Sequence, residues 1–274
     1  CSAILSLAGG WTDEFTPAVL TAIGTVNVIC IAHWGGQLVD AARAAKIPTV
    51  EGSDANTRAV AEWTLTAALM GTRRLHVFDS ALKSGSPWAE PRYDAGLLCD
   101  ATIGILGLGR IGAHVARTFN TLGARVLAYD PYWTQDRANQ LNVQLVPLHD
   151  LLRTATIISL HLPVTSETRN ILGPNEFALI QNDAILINSA RAALYEESTL
   201  LAELKKYRFT AYLDVFAHEP LPLNHPLRQL NNVILTPHIA GDNRAMFLRC
   251  GREAIETLRD YFAGRPLRDF APRQ

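Results

Sequence analysis

Residues 107–112 read Gly107-Leu108-Gly109-Arg110-Ile111-Gly112, a G-x-G-x-x-G run. In that spacing the first glycine permits a tight turn, the second lets a pyrophosphate approach the backbone, and the third lets a helix pack closely on a strand. The N–H groups that open the following helix then face the phosphates. Glycine runs also serve ordinary turns, so the context decides. Here the run follows an apolar strand candidate at 102–106, opens an amphipathic helix at 110–122, and is followed by a second strand ending at Asp130. Asp130 stands eighteen residues beyond Gly112, where a carboxylate accepts hydrogen bonds from both adenosine ribose hydroxyls and repels a 2′-phosphate. The expectation is a bound dinucleotide, NAD rather than NADP. The competing reading is that Asp130-Pro131 only begins a turn.

Such a site needs a sheet to hold it. From 102 onward, short β-rich runs at 102–106, 125–129, 156–160, 184–188, 209–213 and 232–235 alternate with helical patterns. That alternation predicts a parallel, doubly wound sheet. The runs Ile157-Ile158-Ser159-Leu160 and Ala184-Ile185-Leu186-Ile187 are nearly all apolar, as strands covered on both faces are. A smaller β/α region precedes them, with strand candidates at 3–7, 26–31 and 48–50 and a helix at 39–45. One long helix is expected over 57–83 and another over 243–262, so the chain enters the cofactor domain from a second domain and returns to it. The expected division is 1–55 with 244–274 for the smaller domain, and 56–243 for the dinucleotide domain.

Three further motifs follow in order: Ile187-Asn188-Ser189-Ala190-Arg191, then Leu213-Asp214-Val215-Phe216-Ala217-His218-Glu219-Pro220, then Leu235-Thr236-Pro237-His238-Ile239-Ala240-Gly241. Together with the glycine turn, and with Asn56-Thr57-Arg58-Ala59-Val60-Ala61-Glu62 on the first long helix, they resemble the D-isomer-specific 2-hydroxyacid dehydrogenase family. The similarity runs over nearly the whole chain from about Asp54. It implies a Rossmann doubly wound parallel sheet with a second, smaller, flavodoxin-like α/β substrate domain.

The resemblance also implies that Arg191, Glu219 and His238 are the catalytic set, and the residue types suit that chemistry. Arg191 offers a planar, permanently charged fork for a substrate carboxylate and keto oxygen. His238 carries the proton, and Glu219, hydrogen-bonded to the imidazole, would favour its protonated form. Each residue also has a structural reading: Arg191 as a local cap, Glu219 as a turn residue before Pro220, His238 as a satisfied polar residue at a strand end. Implied cofactor contacts are Gly107, Gly109, Arg110, Ile111, Gly112, Asp130, His161, Thr168, Ser189, Ala190, Arg191, Asp214, His238 and Gly241, with Asp214 near the nicotinamide carboxamide. His161 equally well only closes its strand into a loop. His76, His114, His149 and His225 are read as surface or helix residues, and no spacing among them points to a metal.

Two departures from the family pattern stand out. The glycine loop of the small domain that meets the substrate carboxylate is here His33-Trp34-Gly35-Gly36-Gln37, shortened and with unusual side chains, and Ala192 stands where a glycine usually follows the arginine. His33, Trp34, Gly35, Gly36 and Arg191 are the expected substrate contacts, with internal packing as the other reading for His33 and Trp34. Family members also carry a strand-helix-strand stretch ahead of the part matching Cys1, so the substrate domain is expected to be truncated at its N-terminus.

Composition narrows the partners. The chain has 274 residues, 48% hydrophobic and 19% charged, with a formal net charge of -1. Lys and Arg are scattered, which argues against nucleic acid, and no apolar run is long enough to span a bilayer. Cys1, Cys30, Cys99 and Cys250 have no metal or disulfide spacing and are expected as buried free thiols in a cytoplasmic protein. The expected partners are a small 2-hydroxy or 2-keto acid and a second copy of the chain. A homodimer would form through the cofactor domain and its crossover helix, with the arm at 84–98, carrying Trp88 and Tyr93, contributing. The alternative function is an NAD-sensing scaffold or corepressor-like homologue that acts by binding protein.

Overall fold

In the computed structural model, residues 3–6, 16–31, 36–51, 54–86 and 95–267 are described, and the structural statements below concern those residues. The expectations for His33, Trp34, Gly35, Trp88, Tyr93 and Cys1 lie outside them. The chain divides into two compact units, one of Cys1–Ala59 with Gly241–Gln274 and the other of Val60–Ala240.

The first unit contains β1 (Ala3–Ser6), α1 (Pro17–Ile23), β2 (Val28–Ile31), α2 (Gly36–Ala44) and β3 (Thr49–Glu51), paired in parallel in the order β1-β2-β3. Strand geometry sends alternate side chains to opposite faces. In β2, Val28 and Cys30 therefore join one core and Ile29 and Ile31 another. Thr16 caps α1 by accepting from the Val19 N–H at 3.2 Å.

The helix α3 (Asp54–Thr72) leads to α4 (Leu75–Lys83). This corrects the expectation of one continuous helix over 57–83. Arg74 sits in the left-handed region at φ 51 and breaks it, three residues after Gly71, a single glycine of the kind that helices also tolerate in their interior. Packing supplies the reason. A Cβ on Gly71 would stand 2.7 Å from Ile185 Cδ1, so α3 lies hard against the sheet, while the redirected α4 brings His76 Nδ1 to 3.0 Å from the Tyr212 hydroxyl. Burial, with Arg74 adding to it, lowers the pKa of His76.

The second unit continues with β4 (Thr102–Leu106), α5 (Arg110–Thr121), β5 (Arg125–Tyr129), α6 (Gln135–Asn139), β6 (Gln144–Leu145), α7 (Leu148–Thr154), β7 (Ile157–Leu160), α8 (Pro174–Leu179), β8 (Ile185–Asn188), α9 (Glu197–Leu204), β9 (Thr210–Leu213) and β10 (Val233–Leu235). The strands form one parallel sheet in the order β10-β9-β8-β7-β4-β5-β6. It is doubly wound: Ile103, Ile105, Ile157, Ile185 and Ile187 face one core, and Leu106, Ile158, Leu160 and Leu186 face the other. The chain runs outward from β4 through β5 to β6 and then restarts at β7 on the other side of β4. Ligands of open α/β sheets bind at such a reversal, beyond the carboxyl ends of the strands. The two-residue β6 had no recognisable strand pattern. The last helix, α10 (Arg244–Phe262), returns to the first unit, capped by Asn243 and packed through Met246, Cys250 and Ala254.

Candidate active site

The glycine turn is built as its spacing requires. Gly107 adopts φ +94, which L side chains rarely tolerate. A Cβ on Gly112 would lie 1.9 Å from the Gly107 carbonyl oxygen, so the helix start and the turn touch backbone to backbone. Gly109 differs, because a Cβ there meets nothing within 4 Å. The protein's own packing does not need glycine at that position, and the open space over the turn fits a pyrophosphate approaching the start of α5. Arg110 and Ile111 open that helix. Just past β8, Ser189 Oγ is buried without a hydrogen-bond partner, a second feature that fits a bound dinucleotide.

Asp130 lies immediately after β5. Its Oδ2 accepts from the Leu108 N–H at 2.7 Å and its Oδ1 from the Tyr132 N–H at 2.9 Å. Each carboxylate oxygen retains further acceptor capacity for ribose hydroxyls. His161, just past β7, places Nε2 2.9 Å from the buried Ser159 hydroxyl, and desolvation pushes its pKa down to about 4. The ring is therefore neutral near neutral pH. Thr168 turns inward: its hydroxyl donates to the Pro163 carbonyl at 2.6 Å and accepts from the Thr165 N–H at 2.8 Å, which shapes the loop after β7.

His238 and Glu219 are in close contact. His238 Nδ1 lies 2.7 Å from Glu219 Oε2, and the other Glu219 oxygen accepts from the Phe216 N–H at 2.9 Å. A carboxylate partner assigns the proton to Nδ1 and leaves Nε2 for exchange with a ligand. The His238 side chain is 42% exposed, so a ligand can reach it. Its backbone is strained, at φ 54, and residues held in the left-handed region cluster at functional sites.

Asp214 maintains that strain. It follows β9 directly, is 0% exposed, and accepts from Thr236 Oγ1 at 2.5 Å, the Ile239 N–H at 2.9 Å and the Ala240 N–H at 2.8 Å. These bonds bracket His238 on both sides. In this structure the Asp214 carboxylate faces the His238 loop, and no part of it is open to a nicotinamide carboxamide as the resemblance implies. Gly241 falls in the other compact unit.

Arg191 follows β8 with an extended backbone, and its Nη1 donates to the Ala190 carbonyl at 2.6 Å. Its turn is shaped by Asn188, whose Oδ1 accepts from the Ala190 N–H at 3.0 Å and whose Nδ2 donates to the Arg191 carbonyl at 3.0 Å. Ala192 begins an ordinary 3₁₀ turn at Ala192–Leu194, so the methyl group in place of glycine is accommodated without a left-handed backbone. Asn188 and Thr236 lie within the sequence motifs, but the motifs alone imply no role for either. The available signal was polarity: Asn188 ends an otherwise apolar strand, where a buried amide must find partners.

Two expectations outside the site are corrected. Cys99 is exposed, while Cys30 and Cys250 are buried. His225 is neither a helix nor a surface residue, since Nδ1 accepts from the Leu227 N–H at 3.3 Å to cap a 3₁₀ turn and Nε2 lies 3.2 Å from Glu197. Among the described residues no His, Cys, Asp or Glu cluster could hold a metal, and no helix is long and apolar enough to cross a membrane.

A strand, glycine turn, helix and acidic strand end on a doubly wound parallel sheet define a dinucleotide-binding domain. Residues 65–240 match the sequence pattern of the D-isomer specific 2-hydroxyacid dehydrogenase, NAD binding domain. The chain belongs to that family and carries its NAD-binding domain. It is 33% identical over 254 residues to a D-3-phosphoglycerate dehydrogenase of Archaeoglobus fulgidus, covering 92% of this chain and 48% of that one. It is 36% identical over 216 residues to a glyoxylate reductase of Aeropyrum pernix, covering 76% and 64%. The chain thus spans about half the length of the phosphoglycerate dehydrogenases it matches. Among solved structures, D-lactate dehydrogenase with NAD+ from Lactobacillus jensenii has a TM-score of 0.82 at 28% identity, covering 100% of this chain and 87% of that one. The TT0316 protein from Thermus thermophilus has a TM-score of 0.78 at 31% identity, covering 93% and 82%.

Proposed function

We propose that the protein is an NAD-dependent oxidoreductase that interconverts a small D-2-hydroxy acid and its 2-keto acid. The observation that carries this reading is the 2.7 Å contact between His238 Nδ1 and Glu219 Oε2, at the carboxyl edge of the sheet that also bears Arg191 and the glycine turn. The nicotinamide, when bound, supplies or accepts the hydride. Arg191 binds the substrate carboxylate and polarises the keto oxygen through its guanidinium fork. As charge develops on that oxygen, His238 donates the Nε2 proton, while Glu219 holds Nδ1 and stabilises the imidazolium. In the oxidation direction the neutral imidazole takes the hydroxyl proton. Asp130 selects NAD over NADP at the ribose.

The companion reading is a homodimer formed through the second unit. It is supported by α4, none of whose residues is fully buried in the single chain and which exposes Leu75 at 54% and Leu82 at 50%. A monomer in sedimentation at working concentration would contradict it.

The test of function is to mix the protein with NADH and a panel of glyoxylate, hydroxypyruvate, pyruvate and bulkier 2-keto acids and to follow NADH oxidation. Turnover with formation of the D-hydroxy acid is expected. Tight NADH binding without turnover of any keto acid would contradict the reading.

A further inference from the structure

The turn that carries Arg191 is anchored from below by a buried pair. Asn188 Nδ2 donates not only to the Arg191 carbonyl but also to the Tyr195 hydroxyl oxygen at 3.1 Å. Asn188 is fully buried and Tyr195 is 4% exposed. The amide thereby uses both N–H groups and its carbonyl, leaving no donor unpaired in a dry environment. The Ala190 N–H can only donate and the Arg191 carbonyl can only accept, so a flipped amide would set like against like at both contacts. One orientation satisfies the site, and the Tyr195 oxygen is its third point of contact.

Tyr195 is itself fixed. Its backbone bridges to Leu172, its N–H donates to the Ala192 carbonyl at 3.3 Å, and its ring packs against Phe177 with centroids 6.2 Å apart. On the other side the Asn188 carbonyl accepts the Asp214 N–H at 3.0 Å, which ties the amide's own backbone to β9. Burial raises the pKa of the Tyr195 phenol, so it stays neutral.

We propose that Tyr195 is a positioning residue for Arg191: its hydroxyl locks the Asn188 amide, and the amide sets the turn that presents the guanidinium to substrate. This rests on the role of Arg191 in the proposed function. Its consequence is a coupling between two side chains that the turn separates, one buried beneath it and the other exposed at its end.

The test is a double-mutant cycle of Tyr195→Phe and Arg191→Lys, read as kcat/KM for the preferred keto acid, with amide hydrogen exchange measured alongside. Tyr195→Phe keeps the ring and removes one oxygen. It is expected to lower kcat/KM about 10-fold in the parent protein, mostly through KM for the keto acid, and less than 2-fold in the Arg191→Lys background. Equal losses in both backgrounds would overturn the proposal, because a general loosening of the fold predicts additivity. Exchange of the Ala190 amide is expected to accelerate at least 10-fold while the β8 amides stay protected. Unchanged Ala190 protection overturns the proposal whether or not the parent protein turns over a keto acid, so the two claims fail separately. If Tyr195→Phe does not fold, Asn188→Asp supports the same cycle. It keeps the acceptor for Ala190, removes the donors to Arg191 and Tyr195, and is expected to show the same coupling to Arg191→Lys.

Discussion

The Asp214 N–H donates to the Asn188 carbonyl at 3.0 Å, joining the ends of two neighbouring strands through two residues whose buried side chains each organise one loop. Asn188 shapes the turn of Arg191, and Asp214 brackets His238. Two polar groups inside an apolar sheet edge therefore place the exposed residues to which the proposed function gives the chemistry.

Replacing Asp214 by Asn tests this division. The new amide turns an N–H toward donors that need an acceptor, so the variant is expected to lose about 2–4 kcal/mol of stability in urea denaturation. Its kcat is expected to fall at least 100-fold as His238 relaxes from φ 54. Full activity in a stable Asp214→Asn protein would show that the clamp is dispensable.

Gly109 and Gly112 are expected to separate binding from folding. Ala at 109 meets nothing within 4 Å, so its melting temperature stays within about 2 °C of the parent while NADH binding weakens at least 10-fold. Ala at 112 would collide with the Gly107 carbonyl at 1.9 Å and should lower both stability and binding. Thermal melts paired with NADH fluorescence titrations decide the matter, and equal NADH affinity in Gly109→Ala and the parent would remove the pyrophosphate from that space.

Asp130→Ser removes the carboxylate proposed to meet the ribose and also the acceptor of the Leu108 and Tyr132 amides. KM for NADH is expected to rise at least 10-fold and the NADPH-to-NADH ratio of kcat/KM to increase. Steady-state kinetics with both cofactors check it.

His161 makes stability depend on pH with a definite sign. Its folded pKa of about 4 lies below the ordinary value of 6.5, so between these values the unfolded chain binds a proton that the folded one does not. Its contribution is fully present above pH 6.5 and is lost as pH falls toward 4, amounting to at most about 3 kcal/mol. His161→Gln should flatten urea-derived stability across that window relative to the parent protein. An unchanged slope would place the pH dependence elsewhere.

Much of this was legible in the sequence, and the boundary has physical causes. The strands at 102–106 and 125–129 were readable to the residue, because apolar runs buried on both faces are flanked by turn residues. Glu219 and His238 stand out through their motifs, and the structure brings them together. The break at Arg74 was not readable, since the one local mark, Gly71, is equally tolerated inside a helix and the contact of His76 with Tyr212 spans 136 positions. The inward-facing carboxylate of Asp214 was hidden for the same reason: its partners lie more than twenty residues away on the loop after β10. A motif names a residue's type, while the direction in which it points is set by tertiary partners.

The most direct test of the central claim is single-turnover oxidation of bound NADH by the preferred 2-keto acid in the parent protein and in His238→Ala, with NADH affinity measured in both. Rapid oxidation in the parent, at least 1,000-fold slower oxidation in the variant, and NADH affinities within about 3-fold are expected from loss of the proton donor. Oxidation at the parent rate in His238→Ala would contradict the assignment of His238 and Glu219 as the acid-base pair.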